Sequence, residues 1–140
     1  MSMLAFIEEL TAFYSEYLAF QEEKKKVLIS RNQNSLKNIA VREQPFFMRA
    51  KGFDRKYRDL LKTWKIKNVK LSDVIQNMKF VNEDEKIKTQ QAYAKFKTIF
   101  KKFEDLLNEL IRITKGQLEC CGNFAELVSA AKGEQVDIIF

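Results

Sequence analysis

The residues of this chain that could do chemistry are few and unevenly placed. Cys120 and Cys121 are adjacent, Glu43 stands two residues before the single proline, Pro45, and nine Lys and Arg side chains crowd residues 49–70. There is no histidine. Its absence removes Ser-His-Asp and Cys-His nucleophile systems, histidine acid–base work and most zinc and haem sites. The di-iron four-helix arrangement, which needs a Glu-x-x-His on each of two helices, goes with them. Neighbouring residues on a helix point about 100° apart, so Cys120 and Cys121 cannot close an ordinary disulfide within one. With no C-x-x-C and no second cysteine pair they complete no metal site, and they read as small, soft, buried side chains in a reducing compartment. The glycines at 52, 116, 122 and 133 stand alone, so no phosphate-cradling loop is present. The expectation is a protein with no catalytic residues, no cofactor and no metal, working by contact.

Two features remain as candidates. Glu43 falls on an apolar seam, where a carboxylate could serve as a buried functional acid; just ahead of Pro45, the expected arrangement is a helix break at which solvent reaches it. Residues 49–70 carry Arg49, Lys51, Arg55, Lys56, Arg58, Lys62, Lys65, Lys67 and Lys70 against Asp54 and Asp59, a local +7 in a chain of net +6. Such a stretch suits nucleic acid, an anionic membrane or an acidic protein surface, and equally a solvated helix face. No nucleic-acid-binding signature accompanies it.

The elements that must position these residues are helical. One proline and four glycines in 140 residues leave little turn chemistry for hairpins. From Ser2, a good cap, apolar residues recur at Phe6, Leu10, Phe13, Tyr17 and Phe20 and again at Ile7, Tyr14 and Leu18, the spacing of an amphipathic helix. The row lapses from Gln21 through Lys26 and resumes at Val27. Asn32, Asn34 and Ser35 form a break, being residues that bond their own backbone. A second helix is expected from Asn34 or Ser35, with a seam at Leu36, Ile39, Glu43, Phe46, Ala50, Phe53, Tyr57, Leu60 and Trp64. Pro45 predicts a kink, or a short helix ending before it. Leu71 to Ile75 reads as a short connecting helix capped by Ser72, with Leu71 as a staple. The last helix starts at Asn82 with Glu83, Asp84 and Glu85 at its positive end. Its seam runs Phe96, Ile99, Phe103, Leu106, Leu110, Ile113, Gln117, Cys120, Phe124, Leu127, Ala131, stopping near Gly133.

The fold class is therefore all-α: an antiparallel bundle of three long helices with a short connecting helix, the last helix longest and either a long rod or bent near Gly116 and Gly122. Residues 1–133 form a single bundle domain and 134–140 a short tail. The start MSMLAFIEELTAF has acids among its apolar residues and no basic stretch ahead of them, and no run of 18 apolar residues occurs, so no signal peptide and no membrane insertion are expected. The expected location is cytoplasmic. The last helix outruns the first two, and its overhang needs a cover: the connector 65–82, a second copy of the chain, or a partner helix in the groove.

In the order and lengths of these segments the chain resembles the FlgN family of flagellar export chaperones. The likeness runs through QEEKKKVLIS at the end of the first helix, REQPFFMRAKGFDRKYRDLL in the second, KLSDVI in the connector and GNFAELV around Asn123 late in the last. Cys120, Cys121, Pro45 and the basic balance depart from the family pattern. The resemblance implies a cytoplasmic chaperone for type III secretion. It would bind the C-terminal amphipathic helices of hook-associated, hook–filament junction proteins, prevent their premature assembly and deliver them to the export gate. Carried over by position, the client-binding residues are Leu110, Ile113, Leu118, Phe124, Leu127 and Val128, and the export-gate contact falls on Val136, Ile138, Ile139 and Phe140. The alternatives are a nucleic-acid-binding helical protein using 49–70 and a structural coiled-coil subunit that forms a homodimer; of these partners nucleic acid is not expected.

Overall fold

The computed structural model of the chain describes residues 1–67 and 70–116, and these form four helices with no strand among them. Helix α1 spans Met3–Ser30, α2 Gln33–Thr63, α3 Leu71–Asn77 and α4 Glu83–Gly116. The all-α class with three long helices and one short one is as expected from the sequence.

The helix ends follow local chemistry. Ser2 caps α1, its hydroxyl accepting the Ala5 N–H at 3.1 Å, and Asn82 does the same for α4 through the Glu85 N–H at 2.8 Å. The α1–α2 link is only Arg31 and Asn32. Arg31 adopts the left-handed conformation (φ 55°) and returns its N–H to the Leu28 carbonyl, while Asn32 Oδ1 accepts the Ser35 N–H at 3.2 Å. The second helix thus starts at Gln33, slightly ahead of the expected Asn34 or Ser35. Its C-terminus closes with Lys65 at φ 54°; the Lys65 N–H reaches the Lys62 carbonyl and the Ile66 N–H reaches that of Leu61. This paired arrangement satisfies two of the last carbonyls.

Two expectations need correction, one of them in part. Helix α2 runs through Pro45, so of the two alternatives there the helix ending before the proline is overturned. Proline removes the donor that would meet the Val41 carbonyl, a local cost. It is outweighed by packing on both sides, with Ile39 and Glu43 buried before it and Phe47 and Ala50 after it. Ser72 does not cap α3: the helix begins at Leu71 with no side-chain cap. Ser72 instead lies close to the Tyr93 phenol of α4.

Helix α1 is the central element, approaching both α4 and α2 closely. Two neighbours explain its two apolar rows. Toward α4, the Tyr14 ring meets Phe96, Phe100 and Phe103 edge-on at centroid distances of 5.9, 5.1 and 5.2 Å. Toward α2, Phe6 stacks on Tyr57 at 5.7 Å and Tyr17 on Phe46 at 4.7 Å. These pairs run α1 antiparallel to α2 and parallel to α4, the up-down-up order that short loops impose. Leu71, Val74 and Ile75 of α3 are buried, and α3 lies beside Tyr93 at the end of the bundle where α4 begins. The connector therefore sits at the opposite end of the described α4 from Gly116; the residues whose cover was in question lie outside the described residues.

Candidate functional site

The seam of α1 does not lapse after Phe20. Tyr17, Gln21, Lys24 and Leu28 keep the alternating four- and three-residue spacing, and all four are buried. The polar members of this row converge on Glu43 of α2, itself 1% exposed. The Tyr17 hydroxyl and Gln21 Nε2 donate to Glu43 Oε2 at 2.7 and 2.9 Å, and Lys24 Nζ donates to Oε1 at 2.6 Å. Solvent does not reach Glu43, contrary to the expectation drawn from Pro45, because the helix does not break there.

The electrostatics of this cluster follow from burial. Desolvation pushes the Lys24 amine below its ordinary value against the pull of Glu43, and it raises the Tyr17 phenol, with the Glu43 charge adding to the rise. A buried ion pair offsets its desolvation only with good geometry and further hydrogen bonds, and Glu43 has both. Gln21 Oε1 is buried with no hydrogen-bond partner. All four side chains are buried, and their hydrogen bonds tie α1 to α2. Among the described residues no three His, Cys, Asp or Glu side chains are grouped to hold a metal ion.

A second polar feature flanks the α1–α2 seam in the open. Arg42 forks onto Glu23 at 2.6 and 2.9 Å, Arg49 meets Glu16 at 2.6 Å, and Lys56 meets Glu9 at 2.8 Å. Each step of seven residues along α2 is matched by seven back along α1, as antiparallel pairing requires. Each cation also lies over a ring: Arg42 over Phe20 at 5.5 Å, Arg49 over Phe13 at 4.8 Å and Lys56 over Phe53 at 6.0 Å. Arg49 and Lys56 of the basic stretch are therefore engaged with α1. The signal is present in the sequence as Glu9, Glu16 and Glu23 against Arg42, Arg49 and Lys56, at steps of seven residues that only the antiparallel pairing of α1 and α2 brings together.

Of the residues carried over for client binding, Leu110 is completely buried in the bundle core and Ile113 is partly buried. Leu110 is thus part of the intramolecular core and presents no surface to a client. Leu118, Phe124, Leu127 and Val128, the tail residues Val136, Ile138, Ile139 and Phe140, and Cys120 and Cys121 lie outside the described residues. Lys25 of α1 pairs with Glu109 of α4 at 2.6 Å. Since the two helices run parallel, α4 draws level with the end of α1 at about Thr114, one turn and a half further on.

Comparison of the chain with family models, with curated protein sequences and with solved structures finds no match. No helix among the described residues is long and apolar enough to cross a membrane.

Proposed function

We propose that this chain is a non-enzymatic, cytoplasmic chaperone of flagellar type III export, similar to the FlgN family, that holds the C-terminal amphipathic helices of hook-associated proteins and delivers them to the export gate. The observation that carries the reading is the apolar row that the sequence continues beyond the described end of α4. Lys25–Glu109 sets α4 level with the end of α1 near Thr114. The sequence continues the same apolar row past that point at Leu118, Phe124, Leu127 and Val128. An apolar row of this kind takes its cover from the bundle itself, a second copy or a partner helix, and the proposal is the partner helix. A client held short of assembly has an amphipathic helix to bury, and helix-in-groove binding does this without nucleotide hydrolysis. The client surface in this reading is Ile113 and the later residues, with Leu110 supporting it from the core.

The rival use of residues 49–70 for nucleic acid loses weight because Arg49 and Lys56 already meet Glu16 and Glu9. The experiment is titration of the full chain with a peptide matching the C-terminal helix of a hook-associated protein, at low and high salt. Tight, one-to-one binding that changes little with salt supports the chaperone. Absence of binding together with salt-sensitive retention on RNA or DNA overturns it, because phosphate contacts release counterions and weaken steeply with salt.

A further inference from the structure

The ring-packed core stops part-way along the bundle. Toward Gly116 its last rings are Phe20, Phe46 and Phe103; Phe20 meets Phe46 at 4.9 Å, and Tyr17 meets Phe103 at 4.8 Å. Residues 21–44 and 104–116 contain no Phe, Tyr or Trp. The first turns of α2 lie in this ringless part, tied to the end of α1 by Arg31 and Asn32. Between Gln33 and Gln44 the buried side chains are Leu36, Ile39 and Glu43, and one of these is a carboxylate. In the rest of α2 every buried side chain is apolar.

This segment has little helical strength of its own. A helix so short is marginal by itself, and Asn34, Asn38, Ile39 and Val41 are weak helix formers. At its far end Pro45 offers no donor to the Val41 carbonyl, so one backbone bond joining the segment to the rest of α2 is missing. Its hold on α1 is mainly polar: Glu43 takes hydrogen bonds from Tyr17, Gln21 and Lys24, and Arg42 forks onto Glu23 outside. Helix α1 has its own seat on α4 at this level through Lys25 and Glu109.

We propose that residues 33–44 are an opening unit built into the bundle: they leave α1 and lose their helix as one piece, hinged at Pro45 and latched by Glu43, while the ring-packed part stays folded. Opening bares Leu36 and Ile39 together with the α1 side chains that Glu43 had bonded. It does so at the end where the described α4 stops, which the chaperone reading gives to the client; the unit itself is argued without that reading. The test is hydrogen exchange of the full chain, without client, from water into low urea. Amides of 37–44 are expected to exchange as one group, at least about tenfold faster than those of 50–60 in the same helix. Glu43→Gln speeds the group about tenfold or more. Ala40→Gly, a milder change inside the segment that keeps every latch contact, speeds it about fivefold. Phe53→Leu, among the rings beyond the hinge, speeds residues 50–60 and leaves 37–44 unchanged.

Exchange of 37–44 in step with 50–60 overturns the proposal, and so does equal acceleration of both by Phe53→Leu, since the segment would then open only with the whole molecule. Amides 22–30 of α1 exchanging together with 37–44 also overturn it, because the moving piece would be the whole end of the hairpin. Unchanged rates in Glu43→Gln remove the latch. Each variant is checked for folding by thermal melting, and Ala40→Gly carries the test if Glu43→Gln melts too low. No client enters these measurements, so their failure is distinct from failure of the peptide titration that tests the chaperone.

Discussion

Glu43 shows how one residue can fix the relation between two helices. It is satisfied only when it faces Tyr17, Gln21 and Lys24; sliding α2 by one turn would leave the carboxylate buried among rings. Polar groups at a seam position specify register in this way. Removing one partner of a buried pair leaves an uncompensated charge, so Lys24→Met or Glu43→Leu alone is expected to cost about 3–5 kcal/mol. The double variant is expected to cost less than the sum of the two, with a coupling of about 0.5–3 kcal/mol measured by urea unfolding. Additive losses would mean that Lys24 and Glu43 do not act on each other. The carboxylate was legible on its seam from the sequence. Its partners were not, because Gln21 and Lys24 read as a lapse in the apolar row, although their spacing continues it. Polar residues at seam positions are visible only when the period is counted before the residue type.

At the scale of the element, capping chemistry was legible at Ser2 and Asn82, where a side chain performs it, and Asn32 was legible as part of a break. Local rules failed where tertiary packing decides, at Pro45 and at Leu71. Pro45 is exposed and holds no core position, so its cost to α2 is not offset by contacts of its own. Pro45→Ala restores the donor to the Val41 carbonyl and is expected to raise stability by about 1–3 kcal/mol; a fall in the urea midpoint would show that the ring supports its neighbours. The ion-pair rungs predict a smaller effect. Exposed pairs contribute about 0.2–1 kcal/mol and are screened by salt. Glu16→Lys should destabilise by about that amount at low salt, Arg49→Glu in the same chain should recover it, and about 1 M NaCl should remove the difference. If the swap does not recover the loss, the ring contact of Arg49 with Phe13 outweighs its charge.

Across the whole molecule, the central place of α1 concentrates phenols in the core. Tyr14, Tyr17 and Tyr57 are each 2% exposed or less. Burial is the largest cause raising each phenol above its ordinary value of 10.0, and nearby carboxylates add to it. A phenol that ionises more readily in the unfolded chain contributes stability that is complete below pH ~10 and is lost as pH rises beyond it. Lys24 works the other way: its lowered value makes the unfolded chain bind the extra proton, so its contribution improves with pH up to its unfolded value of 10.5. Three phenols against one amine give a net loss. Urea unfolding followed from about pH 8 to 11.5 is expected to show a plateau and then a fall, each ionising phenol steepening it by about 1.4 kcal/mol per pH unit. Tyr14→Phe, which leaves the Glu43 cluster intact, should make that fall shallower. A free energy that stays level to about pH 11.5 would mean that these rings are reached by water in the folded chain, and that the core is looser than the ring contacts between α1, α2 and α4 describe.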